Sequence, residues 1–557
     1  MAVGVVIVLL FAGLAVRLAA LQVGSRDRYV SVGEEQRVRS ELLPADRGSI
    51  VDRNGEDLAL SLSQPTLWAD PSQVHDPVAA AAALAPILGV DQIELIEKLG
   101  SDSQFAYLAR QVPEPVADQA MGLELAGVYT IDEPARFTPS GEVARSLLGR
   151  VGVDHVGISG IELQYDEVMA GEAGELTLER DPAGNTIAAG QYSLQPAAQG
   201  DDLELTIDRA LQWETERVLA AQVDEVGAAG GIAVISDPRT GEVLAMANVE
   251  TGEDGTVAPT SNNLALTTVF EPGSINKVIT VAAALEEGIV DPGTVFEVPD
   301  SLQVSDHEFT DSDPHATAAW SVRDIIVNSS NVGTIKIAQQ LGGHRLDGYL
   351  RRFGFGTATE LAFPNEVAGL MLDLESWSGT SIGSIPLGQG ISVTAMQMLA
   401  AYNVIAAGGT YVPPRMVSAS IDSAGERHEP ETAEPVRVVS ETTAAQVSAM
   451  LVDVVREGTG TNAAIDGYTV AGKTGTARKP LETGGYGEDE DEYRYVATFA
   501  GFVPAEAPQL SLIVVLDEPS ASIYGGAVSA PVFADLARFA LRLFRIPPAA
   551  TTPVVAG

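Results

Sequence analysis

The heptapeptide E-P-G-S-I-N-K at residues 271–277 places Ser274 three positions before Lys277. Lysine occurs only five times in the 557 residues, so a Ser-x-x-Lys pattern is expected only about 0.3 times by chance. Two further motifs follow in order, S-S-N at residues 329–331 and G-K-T-G-T-A at residues 472–477. The ordered set S-x-x-K, S-x-N and K-T-G predicts a serine acyl-transfer site and the fold that carries it.

Ser274 and Lys277 have the residue types and the spacing of a nucleophile and its base. A serine hydroxyl attacks a carbonyl only when a base is held within hydrogen-bond reach, and residues i and i+3 share one helix face. Pro272 and Gly273 favour a sharp start to that helix. Lys277 must be neutral to act as the base, so its pKa has to fall from about 10.4 through burial and a nearby cation. Lys473 is the predicted cation.

The S-x-N motif supplies hydroxyl and amide groups between the two lysines. Ser329 is predicted to relay a proton, and the amide of Asn331 can orient both the lysine and a substrate backbone. Ser330, at the middle position, is expected at the substrate-binding surface. Serine and asparagine are also common in turns and helix caps, so the motif gains its meaning from its place between the other two.

The K-T-G motif predicts the edge of a strand. Gly475 would let a substrate backbone approach closely, while the hydroxyls of Thr474 and Thr476 can bind a carboxylate together with Lys473. The backbone amides of Ser274 and Thr476 could form an oxyanion hole, at roughly 3 kcal/mol per donor.

The segments around the motifs predict an α+β domain, in which an antiparallel sheet is closed by the terminal strands and covered by helices. D-P-R-T-G, between two apolar runs, is the strongest hairpin signal. Strands are predicted at residues 203–207, 231–236, 242–247, 495–503 and 510–516, and helices at residues 211–226 and 530–544.

Composition narrows the possible partners. A net charge of −43 and a pI near 4.3 repel polyphosphate, so nucleic acid is not an expected partner. The chain has no cysteine, which excludes disulfides and thiolate sites. The six histidines never fall in a metal-ligand spacing, and we expect no metal and no cofactor. The polar stretch T-D-S-D-P-H at residues 310–315 is interpreted as a loop.

The first residues predict a membrane anchor. Residues 2–16 are small and apolar, Arg17 can reach the interface, and the span extends over residues 1–23. A cleaved signal peptide is the alternative, but no basic segment precedes the apolar run. The arginines after the span oppose the positive-inside bias; large domains translocate regardless of such charges, so we expect a plasma-membrane protein with the bulk of the chain outside.

The rest of the chain divides by composition. Residues 24–200 mix short β-rich pieces with turns and an alanine-rich helical stretch at residues 77–99, and R-G-S-I-V-D-R-N-G-E at residues 47–56 has the pattern of a hairpin. A linker is predicted at residues 196–202, which makes residues 201–546 the catalytic domain. Residues 547–557 are predicted to be a disordered tail.

With these motifs the sequence resembles the class B penicillin-binding proteins. The resemblance also rests on R-G-S-I-V-D-R-N-G at residues 47–55, G-I-S-G-I-E at 157–162 and L-T-I-D-R-A-L-Q at 205–212. It implies a membrane-anchored D,D-transpeptidase with an elongated pedestal (dimerisation-type) domain and a penicillin-binding domain, which cross-links peptidoglycan stem peptides through an acyl-enzyme on Ser274. β-Lactams would acylate the same serine.

Within that family the sequence looks most like the septal, cell-division type, from I-S-V-T-A-M-Q-M-L-A-A-Y at residues 391–402 and G-G-A-V-S-A-P-V-F at 525–533. The resemblance implies a separate SEDS-family glycosyltransferase and other divisome membrane proteins as partners. The acidic run at residues 488–492 is interpreted as a solvated hairpin tip, or as a rim that attracts an acceptor amine.

Three alternatives stay open from sequence. The first is an elongation-type transpeptidase. The second is a D,D-carboxypeptidase or β-lactamase-like hydrolase that uses water as the acceptor, against which the anchor and the pedestal argue. The third is a non-catalytic divisome scaffold or β-lactam sensor, which the intact motifs disfavour.

Overall fold

The structure is a computed structural model that describes residues 2–19, 37–179, 187, 192–481, 485–486 and 493–548. Its internal contacts divide the chain into two compact units. The first unit comprises the described residues of Met1–Gly48, Ser61–Ala135 and Glu167–Asp201. The second comprises those of Ser49–Leu60, Arg136–Asp166 and Asp202–Gly557.

The strands, in chain order, are β1 (Val38–Leu43), β2 (Ile50–Val51), β3 (Asp57–Ala69), β4 (Ala106–Ala109), β5 (Val128–Phe137), β6 (Arg150–Val151), β7 (Gly157–Ser159), β8 (Gly174–Glu179), β9 (Tyr192–Gln195), β10 (Asp202–Leu205), β11 (Gly230–Ser236), β12 (Val243–Thr251), β13 (Val257–Pro259), β14 (Val295–Val298), β15 (Ser301–Val304), β16 (His307–Thr310), β17 (Ala318–Ser321), β18 (Thr410–Tyr411), β19 (Val417–Ile421), β20 (Arg427–His428), β21 (Val436–Arg437), β22 (Ala471–Lys479), β23 (Arg494–Val503) and β24 (Leu510–Asp517).

The helices are α1 (Ala2–Ala19), α2 (Pro77–Leu88), α3 (Gln92–Leu99), α4 (Glu114–Met121), α5 (Arg145–Leu148), α6 (Gly160–Gln164), α7 (Asp166–Met169), α8 (Arg209–Val226), α9 (Leu264–Thr267), α10 (Lys277–Glu286), α11 (Val322–Val327), α12 (Asn331–Leu341), α13 (Gly343–Arg352), α14 (Ser381–Ser384), α15 (Ala395–Ala406), α16 (Glu441–Glu457), α17 (Gly525–Val528) and α18 (Ala530–Leu543).

In the first unit, helices pack against strands. Leu67 of β3, Leu84 of α2 and Leu95 of α3 belong to one buried core. The alanine-rich stretch predicted at residues 77–99 forms two helices rather than one. Gly89 adopts a left-handed conformation with φ +67° and ends α2, a common way for a helix to stop.

The second unit is built on a six-stranded antiparallel sheet in the order β13–β12–β11–β24–β23–β22. Leu219 of α8 and Phe533 of α18 share a core with Ile235 of β11. Ser236 follows Ile235 and so points to the opposite face, where it accepts a hydrogen bond of 3.1 Å from Asn403 of α15. Helices therefore cover both faces, and the predicted α+β arrangement of an antiparallel sheet with helices is confirmed.

The hairpin predicted at residues 47–56 pairs β2 with the first residues of β3, and the paired residues, which lie within 50–59, belong to the second unit. β2 also pairs in parallel with β10, and Asn54 in the turn donates to the Oδ2 of Asp208 at 3.0 Å. Further along, the backbone amide of Ala144 donates to the Oε1 of Glu216 at 2.9 Å. Two early segments thus group with the second unit, whereas a single boundary near residue 200 stays a prediction.

Helix α1 covers most of the predicted anchor. Across the residues that the structure describes, no helix is both long and apolar enough to cross a membrane, so the anchor over residues 1–23 stays a prediction. Residues 20–23, the acidic run at 488–492 and residues 549–557 of the predicted tail lie outside the described residues.

Candidate active site

Ser274 lies on the 3₁₀ turn Gly273–Asn276, which leads directly into α10. Gly273 has φ +58°, and a Cβ atom there would lie 3.1 Å from the Cβ of Ala477 and 3.2 Å from the carbonyl oxygen of Thr476. A side chain at this position would be strained by its backbone and crowded by β22. Glycine therefore allows the turn that carries Ser274 to approach the K-T-G strand.

Lys277 is fully buried at the start of α10. Its Nζ atom donates to the carbonyl oxygen of Ser329 at 2.5 Å, to the Oδ1 of Asn331 at 2.7 Å and to the Oγ of Ser329 at 3.3 Å. Three acceptors match the donor capacity of a lysine ammonium. Ser329 and Asn331 of the S-x-N motif thus contact Lys277, while the role of this lysine as the base stays a prediction.

Ser329 connects the two lysines. Its Oγ lies 2.9 Å from the Nζ of Lys473 as well as 3.3 Å from the Nζ of Lys277. Ser329 has φ +56°, a left-handed conformation that is uncommon for a residue with a side chain. Such backbone strain persists where the surrounding structure holds it, often at functional sites.

Lys473 is fully buried on β22. Besides Ser329, its Nζ donates to the carbonyl oxygen of Thr474 at 3.1 Å and to the Oγ1 of Thr474 at 3.4 Å. β22 forms the edge of the six-stranded sheet, as predicted for the K-T-G motif.

Burial changes the acidity of both lysines. It lowers the pKa of Lys277 to about 7, and only the negative charge of Asp311 opposes the fall. Burial, together with the charge of Lys277, also holds the pKa of Lys473 well below its ordinary value. The sequence predicted that Lys473 stays charged, but two buried ammonium groups disfavour each other. A charge on Lys473 therefore requires a neutral Lys277 or an anion beside Lys473.

The other two residues of the S-x-N motif lie at the start of α12. Ser330 is buried and caps this helix, because its Oγ accepts from the amide of Gly333 at 2.9 Å and donates to the Oδ2 of Asp311 at 2.7 Å. The side-chain amide of Asn331 lies between Lys277, from which its Oδ1 accepts, and the carbonyl oxygen of Thr310, to which its Nδ2 donates at 2.8 Å. The side chain of Ser330 thus serves the helix, and a direct contact with substrate stays a prediction.

The three residues after Lys473 differ in their surroundings. Thr474 and Thr476 alternate along β22 and so share a face; the Oγ1 of Thr474 lies 2.7 Å from the Oγ1 of Thr459. A Cβ atom on Gly475 would lie 2.2 Å from the Oγ1 of Thr498 on the neighbouring strand. Close packing within the sheet, rather than the approach of a substrate alone, therefore requires glycine here.

The sequence did not single out Asp311, whose carboxylate holds the amides of Asn331 and Val332 as well as the Ser330 hydroxyl. Asp311 stands about 20 residues before the motif in a stretch interpreted as a polar loop. An acceptor for the first amides of α12 is a general need of helices, yet no local pattern identifies a residue so far away as that acceptor.

The remaining three lysines have other partners. Lys98 pairs with Glu94 at 2.8 Å, and Lys336 donates to the carbonyl oxygen of Glu297 at 2.5 Å. Lys479, which the sequence placed near the rim of the K-T-G motif, binds Asp517 at 2.7 Å and Glu518 at 2.8 Å.

Among the described residues, the ligand atoms of Asp422, Glu426 and His428 lie within 4.8 Å of one another. They lie on the hairpin of β19 and β20, where Glu426 and His428 are exposed, and Asp422 already accepts from the amides of Ala424 and Glu426.

An antiparallel sheet between helices, with a serine turn, two buried lysines and a hydroxyl that joins them at its edge, defines a serine acyl-transfer enzyme. Comparison with known proteins gives the family. Residues 231–538 match the penicillin binding protein transpeptidase domain, and residues 42–205 match the penicillin-binding protein dimerisation domain. The chain therefore belongs to the class B penicillin-binding proteins and resembles their septal type.

Individual relatives match along most of the chain. Peptidoglycan D,D-transpeptidase FtsI of Escherichia coli (strain K12) is 35% identical over 98% of this chain and 92% of its own length. Penicillin-binding protein PbpB of Mycolicibacterium smegmatis is 32% identical over 96% and 88%. A peptidoglycan synthetase from Bifidobacterium adolescentis has a TM-score of 0.75 at 29% identity, with 92% of this chain and 98% of that one covered. Penicillin binding protein 3 from Mycobacterium tuberculosis, in complex with aztreonam, has a TM-score of 0.71 at 29% identity, with 91% and 98% covered.

Proposed function

We propose that this protein is a peptidoglycan D,D-transpeptidase that cross-links stem peptides through an acyl-enzyme on Ser274. The observation that carries the proposal is the hydroxyl of Ser329, which lies within hydrogen-bond distance of both buried lysines. One of these, Lys277, begins the helix into which the Ser274 turn leads. The names of the relatives support the same activity, since the FtsI relative is called a peptidoglycan D,D-transpeptidase.

In the first half of the reaction, neutral Lys277 takes the proton of Ser274 as the Oγ atom bonds to the penultimate D-alanine carbonyl of the donor peptide. The amides of Ser274 and Thr476 are proposed to stabilise the oxyanion. The peptide C–N bond then breaks, and the proton reaches the leaving D-alanine amine. The hydroxyl of Ser329 offers the path, because it lies between the two lysines.

The donor carboxylate is proposed to bind against Lys473, Thr474 and Thr476. An anion there favours a proton on Lys473, which leaves Lys277 neutral for the attack. In the second half of the reaction an acceptor amine attacks the ester carbonyl and gives a proton to neutral Lys277. The C–N bond forms as the ester bond to the Oγ atom of Ser274 breaks, and Lys277 returns the proton to this oxygen. The substrate itself thereby sets the division of charge that the sequence predicted.

The remaining assignments follow the family. We propose an anchor over residues 1–23, a pedestal over 24–200, a transpeptidase domain over 201–546 and a disordered tail over 547–557. The catalytic domain would face outward from the plasma membrane in septal wall synthesis, with a SEDS-family glycosyltransferase and other divisome proteins as partners. Because a related protein has been determined with aztreonam and with ampicillin, β-lactams are proposed to acylate Ser274.

Labelling with a fluorescent penicillin tests the site. We expect Ser274→Ala to abolish labelling and Lys277→Ala to slow it by at least about a hundredfold. Lys336→Ala is the matched control, since this lysine binds a backbone carbonyl elsewhere and its loss should leave labelling unchanged. Labelling of Ser274→Ala at the wild-type level would refute the assignment.

Two further measurements separate the alternatives. A penicillin adduct that persists for hours supports a transpeptidase, whereas turnover within seconds supports a hydrolase. A strain that carries only the Ser274→Ala protein and still divides would support a scaffold or sensor.

A further inference from the structure

The loop T-D-S-D-P-H, which lies outside the three motifs, is built into the site. The Oδ1 of Asp311 accepts from the amide of Asn331 at 2.5 Å and from that of Val332 at 2.9 Å, while its Oδ2 accepts from the hydroxyl of Ser330 at 2.7 Å. The Asp311 side chain is only 6% exposed. The Asp311 carboxylate thus fixes the start of α12 and two residues of the S-x-N motif by hydrogen bonds.

His315 contacts the same carboxylate through one ring nitrogen. Its Nε2 lies 2.9 Å from the Oδ2 of Asp311, its Nδ1 lies 2.8 Å from the carbonyl oxygen of Ala316, and its ring lies 4.5 Å from that of Trp320. Both nitrogens face acceptors. A neutral imidazole can donate from only one nitrogen, so this geometry favours the doubly protonated ring.

The charges around the pair point the same way. The hydrogen bond to the Ala316 carbonyl has the largest effect on the pKa of His315 and raises it, and the hydrogen bond to Asp311 raises it next. The negative charges of Asp311 and Asp300 raise this pKa further. Asp300 also accepts from the backbone amide of His315 at 3.1 Å. The charge of Asp311 acts on Lys277, where it favours the ammonium form.

We propose that Asp311 and His315 are paired positioning residues, in which Asp311 fixes Ser330 and Asn331 beside Lys277 and the imidazolium of His315 offsets the negative charge that Asp311 sets near this lysine. The pair would keep Lys277 neutral, and so able to accept a proton, at lower pH than Asp311 alone would permit. The inference rests on the proposed function, because it gives the pair a part in the acylation of Ser274.

The test is the pH dependence of the second-order rate of acylation by a fluorescent penicillin, measured on the whole chain. His315→Gln keeps a donor where Nε2 lies but cannot be charged, so the acidic limb of the profile should move upward by about half a pH unit, or about threefold in rate below the midpoint. Asp311→Asn can keep the same hydrogen-bond partners without the charge, so its limb should move downward.

His428→Gln is the matched control, because the Nε2 of His428 also faces a carboxylate, that of Asp422 at 3.4 Å, on the hairpin of β19 and β20. Its profile should coincide with that of the wild type. Melting temperatures identify any variant that fails to fold, and His315→Ala, which loses both charge and hydrogen bond, serves as the second variant at that position.

The proposed role of Asp311 and His315 is overturned if the acidic limbs of His315→Gln and Asp311→Asn both coincide with that of the wild type. It is also overturned if both limbs move in the same direction. Failure of the proposed function gives a different result, namely that the wild-type protein is not labelled at Ser274 at any pH.

Discussion

At the scale of single residues, Ser329 combines an unfavourable backbone with a central position. Its left-handed φ of +56° places the carbonyl oxygen and the hydroxyl of one residue within reach of Lys277, and the hydroxyl within reach of Lys473. A residue with relaxed backbone angles would point these groups elsewhere. The backbone strain is therefore tied to the contact with both lysines.

Two substitutions separate the hydroxyl of Ser329 from its backbone. Ser329→Ala and Ser329→Gly both lose the proton path, so each should lower the acylation rate by about a hundredfold. Glycine accepts the left-handed conformation freely, so Ser329→Gly should be more stable than Ser329→Ala by about 1 kcal/mol. Denaturant unfolding and penicillin labelling measure the two effects. Equal stabilities would show that the backbone is unstrained.

The acidity of Lys277 predicts a pH profile for the wild-type protein. A pKa of about 7 means that the neutral base predominates above this pH and the ammonium below it. Acylation by a fluorescent penicillin should therefore be constant at higher pH and fall about tenfold per pH unit well below the midpoint. A rate that stays level down to pH 5 would exclude Lys277 as the base.

At the scale of elements, β22 illustrates what the sequence could and could not predict. Its edge position follows from the K-T-G residues, and the strands before and after the catalytic segment follow from apolar patterns and a hairpin signal. The structure confirms both. The contact of Gly475 with Thr498 joins two strands whose register no local pattern specifies. Similarly, the role of Asp311 at α12 depends on a contact about 20 residues away along the chain. Local patterns therefore predicted the motifs, whereas the residues that hold the motifs in place depend on tertiary packing and could not be predicted from the sequence.

Gly475→Ala tests the packing of β22 against β23. Its Cβ atom would lie 2.2 Å from the Oγ1 of Thr498 and 3.1 Å from the carbonyl oxygen of Pro272, so we expect a lower melting temperature and slower acylation. Thr498→Ala should cost little, because the Oγ1 of Thr498 is buried without a hydrogen-bond partner. Added to Gly475→Ala, it should restore part of the loss.

Gly348→Ala is the control for that experiment. Gly348 lies within α13, and a Cβ atom there meets nothing within 4 Å. Alanine should stabilise this helix by about 0.5–1 kcal/mol. Equal losses in both glycine variants would contradict the packing explanation.

At the scale of the whole molecule, three separate segments of the chain belong to the second unit. The first segment contributes β2, which pairs with β10. The second segment contributes Ala144, whose amide donates to Glu216 of α8. Composition predicted one boundary near residue 200, because a linker is recognised from a local change in residue types along the sequence. Contacts between distant segments leave no such trace in composition.

This interleaving predicts the outcome of a truncation. A chain of residues 202–548 lacks β2, the parallel partner of β10, and Ala144, whose amide binds the buried Glu216. Each buried polar group left without its partner costs about 1–3 kcal/mol. We expect its melting temperature to fall by several degrees, with weaker penicillin labelling, relative to residues 37–548. A shorter chain that melts and labels like the longer one would show that the early segments add little.

The scarcity and burial of lysine have a practical consequence for chemical modification. Lys277 and Lys473 are fully buried, and Lys336 and Lys479 are engaged by a carbonyl oxygen and two carboxylates. Within the part of the chain that the structure describes, Lys98 on α3 is held by one partly exposed ion pair with Glu94, which is a weak interaction. A limiting amount of an amine-reactive dye should therefore mark Lys98 before any other lysine, and so attach a fluorophore to the first unit while the reactive serine stays unmodified.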